Sequence, residues 1–204
     1  MNSKFILFLF YVVTFQISSA QEISISINKS TLDSISVQDV PSNAPGIATA
    51  IVHQGKVVYS KYAGFANLSD KTLINQSSLF NIASNGKQFT ALAILELIDK
   101  KRINLSDDIR IWLPQLFPNI SEKITIAHLL THSSGIRDCY DLWSLKGIIW
   151  WENSFNNRDA IRIIAQQNEL NFSPGSQYLY SNSNYILLAA IIEKASGISF
   201  AQYT

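Results

Sequence analysis

Residues 84–101 read SNGKQFTALAILELIDKK, a long apolar run that begins with a serine and a lysine three residues apart. Between Phe89 and Ile98 the only charged residue is Glu96. A helix that is apolar on nearly all sides is typical of a protein interior, so we predict a buried central helix. Ser84 and Lys87, three residues apart at its start, would lie on one face of that helix.

The pair Ser84 and Lys87 offers the residue types of nucleophilic catalysis. A serine hydroxyl is a weak nucleophile until a neighbouring group takes its proton, and a lysine within hydrogen-bond reach is one such group. A second set, Tyr180 and Asn182, follows a Ser-Pro-Gly turn and precedes another apolar helix predicted at about 185–192. A tyrosine can act as a base when cations lower its pKa, and an asparagine amide can bind a carbonyl or a lysine.

The first residues of the chain follow the pattern of a secretory signal, in which a cation precedes a short apolar run and small residues. Lys4 precedes a mostly apolar run from Phe5 to Phe15, and small residues follow up to Ala20. That run is too short to span a bilayer, which takes about twenty residues. We therefore predict a signal peptide over residues 1–20, a secreted or periplasmic location, and no stable membrane span after cleavage. An uncleaved membrane anchor is the alternative interpretation.

Charge and cysteine content narrow the classes of partner. The chain has 16 basic and 15 acidic residues, a balance that argues against nucleic acid or another polyanion as partner. Cys139 is the only cysteine, which excludes an internal disulfide and indicates an inert residue. His128 and His132 are four apart, but Leu129 stands where a zinc protease needs glutamate. We predict no metal and no other cofactor, and the oligomeric state stays open.

The remaining patterns predict an α+β domain over residues 46–204, preceded by a lead-in segment at 21–45 in which alternating isoleucines suggest a strand. Two β-prone runs, 47–52 and 57–59, flank a Gly-containing turn and predict a hairpin. Two strands are marginal alone, so we expect missing C-terminal strands beyond the last residue and interpret the chain as an incomplete domain. Further helices are predicted at 124–131 (with Gly135 as stop signal), 159–167 and 185–192, and after a capping box at 199–202.

Three blocks of sequence together resemble the serine β-lactamase-related family. They are FNIASNGKQFT at 80–90, HLLTHSSG at 128–135 and YSNSNY at 180–185. The order and spacing of these blocks over 46–204 are similar to those in class C β-lactamases, D-Ala-D-Ala carboxypeptidases and related esterases. It implies an α/β sandwich of the β-lactamase/DD-peptidase type, in which helices flank an antiparallel sheet beside a helical lobe.

The resemblance also implies a role for each site residue. Ser84 would be the acylated nucleophile, Lys87 its proton partner, and Tyr180 the base or acid, with Asn182 a contact to substrate or to Lys87. Lowering a lysine pKa from about 10.4 to about 7 costs roughly 4–5 kcal/mol, so we favour Tyr180 over Lys87 as the immediate base. The implied partner is a small-molecule or peptidoglycan-type substrate: a β-lactam, a D-amino-acid peptide or an ester.

Two departures from the family pattern affect these expectations. The third motif, Lys/His-x-Gly on a C-terminal strand, is absent, since His53-Gln54-Gly55 lies in the hairpin turn. An alternative function is therefore a non-catalytic peptidoglycan- or ligand-binding or sensor protein on the same fold. Asn184 stands where glycine is frequent, and we attribute this to the tolerance of asparagine for positive φ. The aromatic stretch at 139–151 either lines a substrate pocket or packs in the core.

Overall fold

The computed structural model describes residues 28–38, 40, 41 and 43–204, and the chain divides into two compact units at the boundary between Phe80 and Asn81. The predicted signal peptide and the strand suggested by the isoleucines before Asn28 lie outside the described residues. Within the described part of the chain, no helix combines the length and apolar character needed to cross a membrane.

The first unit contains one helix and two small antiparallel sheets. Its elements are α1 (Lys29–Val37), β1 (Ile47–His53), β2 (Lys56–Ala63), β3 (Phe65–Asn67) and β4 (Thr72–Leu73). The predicted hairpin is confirmed: β1 pairs with β2 from Ile47 opposite Ala63 to His53 opposite Lys56. Helix α1 and the short pair β3–β4 have no counterpart among the sequence predictions.

The β1–β2 turn and a buried tyrosine hold the first unit together. Gln54 and Gly55 both have positive φ (47° and 74°), the backbone that a two-residue hairpin turn requires. Tyr59 of β2 is only 5% exposed. Its hydroxyl donates to Asp33 Oδ1 at 3.0 Å and shares a hydrogen bond with Ser36 Oγ at 2.8 Å, which fastens α1 to the hairpin.

The second unit is a helical lobe. A 3₁₀ turn at Ala83–Gly86 leads directly into α2 (Lys87–Asp99), so the predicted central helix is confirmed with a tighter first turn. The other helices are α3 (Ile126–Leu130), α4 (Cys139–Leu145), α5 (Asn157–Ile164), α6 (Asn182–Ser196) and α7 (Phe200–Tyr203), with 3₁₀ turns at Ile109–Ile111 and Trp150–Glu152. The predicted capping box is present, since Ser199 and Gln202 cap α7 reciprocally.

Helix α6 is the centre of this lobe. It contacts α2, α3, α4, α5 and α7. Leu187, Leu188, Ile191 and Ile192 are all fully buried, as expected for a helix that has neighbours on every side. The helix ends at Gly197, whose φ of 83° places it in the left-handed conformation that favours glycine. The second apolar helix predicted from sequence is confirmed.

The prediction that α2 is buried on all sides is wrong. One face packs against α6 and buries Ala93, Ile94 and Leu97. The opposite face leaves Phe89 and Leu92 exposed, at 52% and 63%. The physical reason is that α6 covers a single face of α2 within the second unit. Apolar composition sets the tendency to be buried, but a packing partner has to be present.

The turn after α3 also differs from its prediction. The helix ends at Leu130, and the hydroxyl of Thr131 donates to the Ala127 carbonyl at 2.8 Å, so Gly135 is not its stop signal. Gly135 has a φ of 75°, and a Cβ there would lie 2.2 Å from the Phe172 carbonyl oxygen. It is needed because two backbone segments approach closely, a constraint that no helix-ending rule describes.

Truncation of the α6 core should destabilise the protein strongly. Leu187 is fully buried, so Leu187→Ala in the full gene product is expected to lower the free energy of unfolding by about 2–5 kcal/mol. Leu145→Ala is the matched control, because Leu145 is 82% exposed on α4 and should change stability by no more than about 0.5 kcal/mol. Urea denaturation measures both, and equal effects would contradict the assigned core.

Candidate active site

The structure brings the four predicted site residues together on the second unit. Ser84 Oγ lies 2.8 Å from Tyr180 Oη and 3.1 Å from Lys87 Nζ, which donates to it. Lys87 Nζ also donates to Asn182 Oδ1 at 2.9 Å, and Tyr180 Oη lies 3.4 Å from the same oxygen. A nucleophile and two groups able to move its proton therefore lie within hydrogen-bond distance of one another.

A sharp turn of the backbone presents Ser84 to this cluster. Ala83, directly before it, has a φ of 47°, which is uncommon for a residue other than glycine. The side chain of Asn81 stabilises this conformation, because its Oδ1 accepts the Ala83 N–H at 2.8 Å. Backbone strain of this kind is often found at functional sites, where surrounding contacts hold it. Here it fixes the direction from which the serine enters the cluster.

Tyr180 has the electrostatic surroundings of a proton acceptor. Burial opposes ionisation of its phenol, but the neighbouring Lys87 and the hydrogen bond with Ser84 outweigh burial and lower the pKa of Tyr180 from its ordinary value. Lys87 Nζ lies 5.0 Å from the centre of the Tyr180 ring, so its positive charge favours the phenolate. Lowering this pKa raises the fraction of phenolate available near neutral pH.

Asp138 joins the cluster, although the sequence analysis did not identify it. Its Oδ2 accepts both the backbone N–H and the side-chain NH₂ of Asn182, the latter at 2.8 Å. Its Oδ1 accepts the Tyr140 N–H at 2.8 Å and so caps α4. The only signal in the sequence is an aspartate before a short helix, which predicts a cap and says nothing about Asn182.

The ring of His132 packs against the ring of Tyr180. The two ring centres are 4.5 Å apart at a tilt of 31°, and the imidazole is only 8% exposed. Its Nδ1 accepts the Ser181 N–H at 3.2 Å, so the ring proton resides on Nε2. Burial first, and Lys87 second, lower the pKa of His132, which keeps the ring in the neutral form that can accept. His132 therefore has a structural role beside the cluster.

Asn184 has a different role from the one its sequence position suggests. It lies in the first turn of α6 with ordinary helical backbone, so the explanation by positive φ is wrong. The side chain is fully buried: its Oδ1 accepts the Ser134 hydroxyl at 2.6 Å and its NH₂ lies 3.1 Å from His132 Nδ1. A buried amide needs such partners, and this one ties α6 to the turn after α3.

A cavity of about 750 Å³ opens beside the cluster. Besides the four predicted residues, Asp138, Tyr140 and Trp150 line it, and the Tyr140 and Trp150 rings pack with centres 4.5 Å apart. Trp143, in contrast, is 5% exposed and stacks on Phe155 at 4.1 Å. The two interpretations of the aromatic stretch therefore hold for different residues: Trp150 lines the cavity and Trp143 packs in the core.

The remaining candidates from the sequence have structural roles. His128 Nδ1 accepts the Thr125 N–H at 3.2 Å and completes the capping box of α3. Burial raises the pKa of the Cys139 thiol to about 12, so this cysteine is inert as predicted. In the part of the chain that the structure describes, no group of three or more metal-ligating side chains lies together.

Known proteins are similar to this chain over most of its length. Residues 37–204 match the Beta-lactamase family. A penicillin-binding protein of Bacillus subtilis is 37% identical over 151 residues, which cover 73% of this chain and 32% of that protein, so the chain spans about a third of that curated relative. An octameric penicillin-binding protein homologue from Pyrococcus abyssi has a TM-score of 0.74 at 30% identity, covering 87% of this chain and 41% of the homologue.

A further solved structure, EstCE1, a hydrolase with promiscuous acyltransferase activity, has a TM-score of 0.69 at 23% identity and shares the fold over 85% of this chain and 48% of its own. The resemblance and the fold class predicted from the sequence are confirmed. The match of the family to residues 37–204 also covers all four predicted site residues. The chain belongs to the Beta-lactamase family of serine hydrolases and has the β-lactamase/DD-peptidase fold.

Proposed function

We propose that the protein is an exported serine hydrolase that works through an acyl-enzyme on Ser84. The observation that carries the proposal is the position of Ser84 Oγ, which lies within hydrogen-bond distance of both Tyr180 Oη and Lys87 Nζ. Membership of the serine hydrolase family supports it. Export rests on the signal-like pattern over residues 1–20.

The reaction begins when Ser84 Oγ attacks the carbonyl carbon of the substrate. Its proton passes to Tyr180 Oη at 2.8 Å, and the carbonyl π electrons move to oxygen. When the tetrahedral intermediate collapses, the bond to the leaving group breaks and the Tyr180 proton is transferred to that group. Water then attacks the ester on Ser84, with the phenolate again as base. The acid product leaves, and the Ser84 hydroxyl is regenerated.

Lys87 is an electrostatic partner in this scheme. Its Nζ donates to Ser84 Oγ and to Asn182 Oδ1, which holds the amino group beside the nucleophile. The positive charge of Lys87 contributes to the lowered pKa of Tyr180. These contacts favour Tyr180 as the immediate base, and they give Asn182 the role of orienting Lys87.

The relatives and the cavity support a proposal for the substrate class. Two of the similar proteins are named for penicillin binding, which supports a β-lactam or the D-amino-acid peptide that it resembles as acyl donor. The cavity beside Ser84 carries the rings of Tyr140 and Trp150 along with polar groups. A side chain or ring attached to a small acyl group would contact those rings. Simple esters are a further class that this chemistry accepts.

Covalent labelling tests the nucleophile. In the full-length gene product, a fluorescent penicillin or a fluorophosphonate should acylate Ser84, and Ser84→Ala should abolish the label because no other hydroxyl occupies its position. Intact-mass spectrometry and peptide mapping locate the adduct. Ser183→Ala is a matched control, since the Ser183 hydroxyl donates to the Arg137 carbonyl and takes no part in the cluster.

The labelling experiment also separates the alternative function. A non-catalytic binding or sensor protein would bind the penicillin reversibly and give no mass shift on Ser84. Equal labelling of wild type and Ser84→Ala, or saturable binding without an adduct, would overturn the proposed function.

The pH dependence of acylation tests Tyr180. Because the pKa of Tyr180 is lowered and the phenolate is the active form, the acylation rate should rise with pH and level off below the ordinary tyrosine value of 10.0. Tyr180→Phe should lower the rate by about 10²–10⁴-fold and remove that rise. Stopped-flow acylation from about pH 6 to about pH 9 measures both. A profile that is unchanged in Tyr180→Phe would contradict Tyr180 as base.

A further inference from the structure

We propose that Asp138 is a positioning residue that selects the orientation of the Asn182 side-chain amide, so that its oxygen and not its nitrogen faces Lys87. The inference rests on the proposed function and adds a residue to its site. Asp138 Oδ2 accepts the Asn182 side-chain NH₂ at 2.8 Å, while Asn182 Oδ1 accepts from Lys87 Nζ at 2.9 Å. The amide thus lies between a carboxylate and an amino group.

The Asn182 amide has two orientations of nearly equal shape. Its oxygen is an acceptor and its NH₂ group is a donor, and rotation by half a turn exchanges them. In the rotated form the NH₂ would face the donor Lys87 Nζ, and the oxygen would face the carboxylate of Asp138. Both contacts would then be between like groups. The carboxylate at position 138 therefore excludes the rotated form and leaves the one that accepts from Lys87.

The same carboxylate fixes the backbone that carries the amide. Asp138 Oδ2 also accepts the backbone N–H of Asn182, the first residue of α6. Its Oδ1 caps α4 through the Tyr140 N–H at 2.8 Å. One side chain thus receives three donors and joins the starts of two helices. Both the position and the orientation of the Asn182 amide are set from Asp138.

The consequence for the reaction passes through Lys87. Its Nζ has two side-chain acceptors, Asn182 Oδ1 at 2.9 Å and Ser84 Oγ at 3.1 Å, which together fix its direction. If the Asn182 oxygen turned away, one of them would be lost and Lys87 would be free to leave Ser84. Asp138 makes its hydrogen bonds to Asn182 and to Tyr140 N–H, so it acts through Asn182 and is not itself a catalytic residue.

A simple helix cap is the competing explanation, and Asp138→Asn separates the two. Asparagine caps helices as well as aspartate does, so the acceptor for the Tyr140 N–H can be retained. The other side-chain atom, however, becomes an NH₂ that faces the two donors of Asn182. A residue that only caps would tolerate this change, whereas an orienting residue would not.

The experiment is a reciprocal exchange in the full-length gene product. Asp138→Asn is expected to slow acylation of Ser84 by a penicillin probe about thirtyfold or more, the size expected for a misoriented catalytic group. Asn182→Asp alone should also be slow, because it brings two carboxylates together. The double variant restores one donor and one acceptor between the positions and offers Lys87 a carboxylate oxygen. It should be at least tenfold faster than either single variant.

A control variant makes the result decisive. Asp159→Asn is the matched control, since Asp159 caps α5 with Asn156 and lies away from the cluster, and it should leave the acylation rate unchanged. If the acylation rate of the double variant is no higher than the rate obtained by multiplying the two single reductions, the proposal is overturned. If Asp138→Asn alone does not fold, the Asn182 side-chain NH₂ signal of the wild type still decides, because an NH₂ group that donates to Asp138 should be shifted and exchange slowly.

A readout without acylation keeps this inference separate from the proposed function. In ¹⁵N–¹H spectra, the Asn182 side-chain NH₂ donated to a carboxylate should be shifted and exchange slowly with water in the wild type. Asp138→Asn should remove both properties, while Asp159→Asn should keep them. If Ser84 is not labelled while the Asn182 NH₂ signal behaves as expected, the proposed function alone is rejected. Unaltered NH₂ exchange in Asp138→Asn would reject the role of Asp138.

Discussion

The packing of α2 against α6 is the contact on which the rest of the second unit depends. Each helix begins at a site residue, Lys87 for α2 and Asn182 for α6, and their apolar faces bury Ala93, Ile94 and Leu187. Burial of a leucine or isoleucine side chain contributes about 1.5–3 kcal/mol, at least as much as a typical hydrogen bond of the cluster. Apolar packing between two helices therefore brings together polar groups that lie 95 positions apart in the chain.

The polar cluster uses that packing in a particular way. Backbone donors at the start of α6 have their acceptors in the segment between α3 and α4. Asp138 accepts the Asn182 N–H, and His132 accepts the Ser181 N–H. This segment also supports the reactive residues: the His132 ring lies against Tyr180, and Asp138 holds Asn182. At the start of α6, helix capping and site geometry therefore depend on the same contacts.

Sequence reasoning predicted the helical segments α2, α6 and α7 because each leaves a local signal. Apolar runs, a capping box and a Gly turn are written in neighbouring residues, and α6 ends at Gly197 as its sequence indicates. It failed for α2, whose outer face stays exposed at Phe89, and for Asn184, which hydrogen bonds where a backbone explanation was offered. In each case the deciding factor was a neighbour distant in sequence, which no local pattern specifies.

Residue type and spacing were enough to predict the family, the hairpin and the two long helices, and to propose four site residues. The packing of the helices sets which atoms of these residues lie within hydrogen-bond distance. It placed Ser84 Oγ 2.8 Å from Tyr180 Oη and turned the Asn182 oxygen toward Lys87. It also added Asp138, whose sequence signal is an ordinary helix cap. The reason is physical: a hydrogen bond depends on distance and direction, and those are fixed by the packing of whole helices.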